Sequence, residues 1–258
     1  MWNFEPTVIL GLALLCVTYA LCVDYWRPRF ADSAPVPRGQ VVCFALAMLT
    51  LVIALLSPID VLADRYLLTM HMVQHLLLTL VMPPLLLLSL PVWLVRPILR
   101  VPFALPALRW LTAPLVAYVL FNGVFAGWHV PALYEATLQS EPIHVLEHLM
   151  FMATALLAWW PIASPLPALR RVAFPLQVLY LFLQSVIPTV LGGLITFSDS
   201  VWYPTYLNAP RVWDLSALED QQWAGLTMWI PGALIYLTAL TVVFFVWFEG
   251  QEKVGEIR

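Results

Sequence analysis

Charged residues are scarce in this sequence: Asp, Glu, Lys and Arg make up 10% of its 258 residues, whereas a typical soluble domain carries about 25%. Lysine is nearly absent, because Lys253 is the only one, so no Schiff base to retinal can form within a helix bundle. The net charge of −3 argues against nucleic acid as a partner. With 62% hydrophobic residues, the composition indicates an integral membrane protein.

Cysteine is also rare. Cys16, Cys22 and Cys43 form no Cys-x-x-Cys pair and no disulfide framework, and we interpret them as small hydrophobic side chains. No Lys or Arg precedes the first apolar run and no small-residue cleavage site follows it. We therefore expect that run to be a retained membrane span rather than a signal peptide.

Seven stretches approach the length of about 20 apolar residues that a helix needs to cross the hydrocarbon core. They lie near residues 7–23, 40–56, 66–90, 112–128, 143–160, 172–197 and 223–248. Pro83-Pro84 should kink the third stretch, and Pro188 with Gly192-Gly193 should bend the sixth. The predicted fold is all-α, a single seven-helix transmembrane domain over residues 1–258.

The longest connection between these stretches, residues 198–222, is rich in Trp, Tyr and acidic residues. We interpret it as an interfacial segment that lies on the membrane surface. A docking lid over one end of the bundle is the second interpretation.

Cations indicate the orientation, because Lys and Arg collect in cytoplasmic loops. Ten of them fall on one side of the predicted bundle: Arg27, Arg29, Arg38, Arg96, Arg100, Arg109, Arg170, Arg171, Lys253 and Arg258. The opposite side holds only Arg65 and Arg211. We therefore predict the N-terminus outside and the C-terminus in the cytoplasm.

With this orientation, the five histidines lie at a similar depth in the predicted membrane bundle. His71 and His75 begin the third span, His129 ends the fourth, and His144 and His148 begin the fifth. At 1.5 Å of rise per helical residue, all of them fall within about 15 Å of the outer boundary. A scatter of unrelated histidines would rarely produce this distribution.

The spacing within the two pairs is the second argument for a metal site. His71/His75 and His144/His148 are each four residues apart, so each pair presents two imidazoles on one helix face. A single pair could serve interhelical hydrogen bonding, but two pairs with His129 favour a metal. Gln74 and Glu147 are predicted to orient the rings, and Asn122 and Gln184 to bond one another or backbone groups.

Imidazole ligands suit zinc, copper, iron and nickel, and a nearby methionine favours copper(I). Met228, about two turns inside the seventh span, is a further candidate ligand. The predicted metal ligands are His71, His75, His129, His144, His148 and Met228. Paired histidines one turn apart suit a single ion better than haem.

The chain resembles the polytopic CtaG family of cytochrome c oxidase assembly factors, first associated with caa(3)-type oxidase. The resemblance rests on His71-Met-Val-Gln-His75, Pro83-Pro84-Leu-Leu-Leu-Leu88, Phe121-Asn122, Trp128-His129-Val-Pro131, His144-Val-Leu-Glu-His148, Trp159-Trp160-Pro161, Asp220-Gln-Gln-Trp-Ala-Gly225 and Met228-Trp-Ile-Pro-Gly232. These blocks cover residues from about 60 to 235.

The resemblance implies a seven-helix protein of the bacterial plasma membrane that helps to mature a haem-copper oxidase, with oxidase subunits as partners and a role in copper delivery. Our interpretation from sequence is accordingly a copper-binding assembly factor without catalytic residues, the copper being held as copper(I). A zinc-dependent membrane hydrolase, with Glu147 as general base, is the alternative. A haem-binding electron carrier is the third reading.

Overall fold

The computed structural model describes residues 2–30, 32–166, 168–169 and 172–255, and for residues 251–255 the backbone only. This part of the chain contains twelve α-helices and no strand. They are α1 (Pro6–Ala20), α2 (Arg38–Leu56), α3 (Pro58–Arg65), α4 (Leu68–Leu76), α5 (Met82–Ser89), α6 (Val92–Val95), α7 (Ala104–Leu111), α8 (Pro114–Trp128), α9 (Pro131–Gln139), α10 (Glu141–Ala163), α11 (Phe174–Thr196) and α12 (Ala217–Gly255).

Six of the resulting helices are long and apolar enough to cross a membrane. They are Pro6–Tyr25, Arg38–Leu56, Leu68–Ser89, Glu141–Ala163, Phe174–Thr196 and Ala217–Gly250. A seventh span exists if α7 and α8, which meet at an angle of 67°, are counted together. The all-α membrane fold predicted from the sequence is confirmed.

The fourth predicted span differs most from its observed counterpart. Helix α8 has only 15 residues, and it reaches the length of a span only with the bent helix α7 before it. Pro114 occupies the first turn of α8, and a proline disfavours helical geometry at the residue before it. The break at residues 112–113 follows from this constraint.

The third span changes its helical geometry just before Pro83-Pro84, where the sequence predicts a kink. A single π-helical turn, Leu77–Val81, separates α4 from α5 just before the prolines. Since Pro83 and Pro84 have no N–H, neither can donate to the carbonyl of Thr79. The indole Nε1 of Trp159, on α10, donates to this carbonyl instead, at 3.0 Å. This bond fixes α10 against the helix that carries His71 and His75.

The sixth predicted span is a single helix, α11, with Pro188 inside it. It packs closely along α12. A Cβ atom at Gly225 of α12 would overlap Thr196 Oγ1 and lie 2.6 Å from the Gly192 carbonyl oxygen. Glycine is therefore required here for helix contact, in the way that small residues allow close approach within membranes.

The sequence predicts that residues 198–222 lie on the membrane surface, but part of this connection is buried. Its last part belongs to α12, which begins at Ala217, and Tyr203 and Tyr206 are almost fully buried. Leu207 and Trp213 remain exposed. The buried hydroxyls have hydrogen-bond partners inside the bundle, described below, which offsets the cost of removing them from water.

We predict that Gly225→Ala destabilises the protein by about 1–3 kcal/mol, the usual cost of overpacking. Gly193→Ala is the matched control, because nothing lies within 4 Å of the Cβ that it would add. Thermal unfolding of the two purified variants in the same detergent measures the difference. Equal melting temperatures would contradict the close contact of α11 and α12.

Candidate metal centre

The histidine rings converge at one end of the bundle. The ring centroids of His71 and His75 on α4 are 4.2 Å apart, as are those of His144 and His148 on α10. The two helices face each other, with 5.4 Å between the His71 and His144 rings and 5.9 Å between those of His75 and His148. His129, at the end of α8, lies 5.6 Å from His75.

Glu147 lies among these rings. Its Oε2 is 3.8 Å from His71 Nε2, and its Oε1 is 3.7 Å from His75 Nε2. Together with His148 the three residues form a group, called here the inner group, whose potential ligand atoms all lie within 4.8 Å of one another. The sequence suggested an orienting role for Glu147, but its position makes it a candidate ligand itself.

The inner group contains buried polar atoms that have no partner among the described residues. Both ring nitrogens of His71 and of His75, and both carboxylate oxygens of Glu147, form no hydrogen bond. All three side chains are at most 2% exposed. Buried polar groups are almost always paired, because leaving one unpaired costs free energy. A cation bound between them would satisfy these atoms, so the donor set fits a metal ion.

The donor types narrow the choice of metal. The inner group offers imidazole nitrogens and one carboxylate, which is a set for zinc, copper, iron or nickel rather than for calcium or magnesium. His129 lies beside the inner group. Its Nδ1 donates to the Phe125 carbonyl at 2.7 Å, which leaves Nε2 with a free lone pair. His129 Nε2 also lacks a partner.

Three tyrosines, called here the tyrosine cover, close the bundle over the histidines: Tyr134, Tyr203 and Tyr206. The Tyr134 ring lies 5.0 Å from that of His71. Tyr203 donates to the His129 carbonyl at 2.9 Å, and Tyr206 donates to the Ala63 carbonyl at 3.0 Å. Burial raises the pKa of all three phenols. Tyr203 and Tyr206 come from the connection at residues 198–222, which thus covers the site.

Asp64, on the short helix α3, was not predicted from the sequence. Its Oδ1 is 3.6 Å from His144 Nδ1 and forms no hydrogen bond within the described residues. Burial, reinforced by the nearby charge of Asp60, raises the pKa of Asp64 to about 7, although Arg65 opposes the shift. Only its proximity to His71 in the sequence could have drawn attention to it.

Two predicted residues, Gln74 and Met228, have other described partners. The Gln74 amide donates to the Ala54 carbonyl and to Asp60 Oδ1, both at 2.9 Å, so it ties α4 to α2 and α3. No hydrogen bond joins Gln74 to any of the described histidines, and its Oε1 has no partner among the described residues. The orienting role of Gln74 stays a prediction. Met228 belongs to the same apolar cluster as Tyr134 and Phe151, whose rings lie 5.0 Å from that of His71 and 4.6 Å from that of His75. Its role as a metal ligand stays a prediction.

Other predicted pairings are observed. Asn122 donates to Gln184 Oε1 at 2.6 Å, joining α8 to α11 as expected. The three cysteines are free thiols, with Cys16 exposed and the other two partly buried. Four of the cations used to predict the orientation lie outside the part of the chain that the structure describes. They are Arg170, Arg171, Arg258 and the side chain of Lys253.

Asp220 at the start of α12 sets the position of α4. Its carboxylate accepts the backbone N–H groups of Leu68 and Thr69, at 2.7 and 3.1 Å, and the Thr69 hydroxyl at 2.7 Å. Helix α4 has no capping side chain of its own, so a distant residue satisfies its first N–H groups. These hydrogen bonds fix the position of α4, which carries His71 and His75, relative to α12.

The fold and this cluster define the class of protein: a polytopic helical membrane protein with a candidate metal centre of histidines and a carboxylate at one end. A family model described as "Cytochrome c oxidase caa3 assembly factor (Caa3_CtaG)" matches residues 17–250. The chain belongs to this family of oxidase assembly factors.

Two curated relatives from mycobacteria match over nearly the whole chain. They are the uncharacterized proteins Mb0105 of Mycobacterium bovis and MT0111 of Mycobacterium tuberculosis, each 24% identical over 271 residues. The match covers 99% of this chain but only 40% of each relative, so the chain spans about two fifths of their length. No solved structure matches this chain.

We predict that Asp220→Ala lowers the free energy of unfolding by about 1–3 kcal/mol, because it leaves buried N–H groups of α4 without an acceptor. Asp220→Asn should cost less, since its amide oxygen can still accept one of them. Thermal unfolding of the purified variants measures both effects. An alanine variant as stable as the parent would show that this cap does not hold α4.

Proposed function

We propose that this chain binds copper at the inner group and supplies it to a haem-copper oxidase during assembly. The observation that carries the proposal is the inner group itself: His71, His75, Glu147 and His148 bring potential ligand atoms within 4.8 Å of one another inside an apolar bundle. Those of His71, His75 and Glu147 have no hydrogen-bond partner among the described residues. Membership of a family of oxidase assembly factors supports the oxidase as the recipient. His129 and His144 extend the site at its margins.

A delivery protein needs a bound ion that a partner's ligands can reach. The inner group lies at the end of the bundle, under the tyrosine cover rather than at mid-height. Because the cover comes largely from a connection between helices, it can move without unpacking a span. We infer that the connection at residues 198–222 is where an oxidase subunit docks.

The distribution of charge supports an external location for this end of the bundle. Arg29, Arg96 and Arg100 line a cavity of about 390 Å³ with Trp26 and Trp93. These residues follow the ends of spans that point away from the histidines. Basic residues of this kind mark the cytoplasmic face. The metal would then be exchanged on the outer side of the plasma membrane.

Copper is the metal that we propose, as copper(I). Imidazoles bind it well, and the buried thioether of Met228 lies in the apolar cluster next to the site. Zinc with hydrolytic activity is the competing outcome, because Glu147 beside zinc-binding histidines could act on a bound water. Elemental analysis with an esterase assay distinguishes a copper-binding protein from a zinc-dependent hydrolase. The lack of a haem absorption band would exclude the third hypothesis, a haem-binding electron carrier.

The purified chain should contain copper, and His71→Ala/His75→Ala should lose it, because two of four inner donors are removed. Asn122→Ala/Gln184→Ala is the matched control: it deletes a buried hydrogen-bonded pair on other helices and should retain copper. Elemental analysis of all three proteins, each checked by thermal unfolding, measures this. Copper retained in the histidine variant would contradict the assignment.

Deletion of the gene should reduce haem-copper oxidase activity most strongly at low external copper, when delivery limits assembly. Complementation with the parent chain should restore activity, and His71→Ala/His75→Ala should not. Oxygen consumption of membranes, compared with oxidase haem measured by absorption, reports the fraction of assembled enzyme that is active. Unchanged activity on deletion would remove the assembly role but leave metal binding intact.

A further inference from the structure

A cavity of about 430 Å³ lies at the histidine end of the bundle, and His144 and His148 are among its lining residues. Its lining also includes the acidic residues Glu5, Asp60, Asp64 and Glu141. Arg65 is the one cation among the described lining residues. A cleft lined by one sign of charge concentrates counter-ions and speeds their association, so this acidic pocket would attract a metal cation.

Acidic lining alone defines no site, but a second group of ligands lies at the inner end of the pocket. Asp64, His71 and His144 offer atoms that all lie within 4.8 Å of one another. Asp64 is 36% exposed, His144 is 13% exposed, and His71 is fully buried. The three residues therefore lead from the pocket into the bundle, and the buried ring of His71 has no hydrogen-bond partner among the described residues.

The two groups share a residue. His71 belongs to both, since its Nε2 also lies 3.8 Å from Glu147 Oε2. His144 joins them in a second way: its Nδ1 faces Asp64 at 3.6 Å, while its Nε2 lies 3.1 Å from His148 Nε2. An ion could thus exchange ligands one at a time, without passing through a fully uncoordinated state.

We propose that Asp64, His71 and His144 form an outer subsite, which receives the metal cation from the acidic pocket and transfers it to the inner group. The inference rests on the proposed function, because it assumes that the inner group holds the cargo. The step is a ligand exchange at constant oxidation state: the bond to Asp64 breaks as bonds to His75, Glu147 or His148 form. Asp64 acts in uptake and does not bind the stored ion.

The test is the rate of metal uptake by the purified full-length chain. Copper(I) is supplied as a complex with a coloured chelator, so the loss of chelator absorbance follows transfer, and elemental analysis gives the final content. Asp64→Asn should slow uptake about tenfold or more, in line with the cost of removing a supporting ligand, and reach the parent's final content. Asp64→Ser, which removes the carboxylate with a smaller side chain, should behave in the same way.

Glu5→Gln is the matched control, since it removes the same charge from the pocket at a residue that forms no hydrogen bond or ion pair with a described histidine. It should slow uptake far less than Asp64→Asn. Equal slowing would overturn the subsite in favour of attraction by charge alone. Parent-like uptake in Asp64→Asn, or loss of its final copper content, would overturn it too.

These failures differ from failure of the proposed function, which would appear in the parent chain as an absence of bound copper. The same measurement with zinc(II) and a zinc-responsive chelator is run in parallel. If the parent takes up zinc but no copper, the proposed copper function would be overturned, and the outer subsite would be one for zinc. A parent that takes up neither would overturn both proposals.

Discussion

The structure depends on one constraint: inside a membrane, each backbone and side-chain polar group needs a partner within the protein. Most of the bundle meets it with internal bonds, such as the Trp159 indole on the Thr79 carbonyl and the amide pair of Asn122 and Gln184. The unpaired buried atoms of the described residues are concentrated in the inner group, where both ring nitrogens of His71 and of His75 and both carboxylate oxygens of Glu147 have no hydrogen-bond partner. Ionisable groups in such surroundings are expensive and are normally functional. A bound cation is the partner that this chemistry fits.

The rest of the fold brings the donors together and holds them. Asp220 fixes the first turn of α4, and Trp159 fixes α10 to the π-helical turn that follows α4. The contact between Gly192 and Gly225 brings α11 and α12 close enough for that arrangement. The tyrosine cover then limits access to the histidine rings from the end of the bundle. Access to the site is left on the side of the acidic pocket, where His144 and Asp64 are partly exposed.

Much of this could be predicted from the sequence because it follows from local periodicity. Hydrophobic length defined the spans, and the four-residue spacing put each histidine pair on one helix face. The depth of His129 followed from counting along its span. A disturbance of the helix near Pro83-Pro84 followed from the missing N–H groups. The bond from Trp159 to the Thr79 carbonyl, which joins residues 80 positions apart, could not be predicted in this way.

What could not be predicted depends on contacts between distant segments. Asp64 lies on a short helix outside the predicted spans, so only the folded chain shows it beside His144. Gln74 shares a helix face with His71 in a simple projection, but Asp60 and the Ala54 carbonyl take its amide. Residues 198–222 are polar and aromatic enough to suggest a surface segment. Their two buried tyrosines find acceptors that sequence reasoning does not reveal.

X-ray absorption spectroscopy of the copper-loaded chain tests the central claim most directly, because it identifies the atoms bound to the metal. The account predicts nitrogen and oxygen donors at about 2 Å, as for imidazole and carboxylate ligands in zinc sites, with the outer-shell scattering of imidazole rings. A shell dominated by sulfur, which would place the copper on cysteine or methionine, would contradict it.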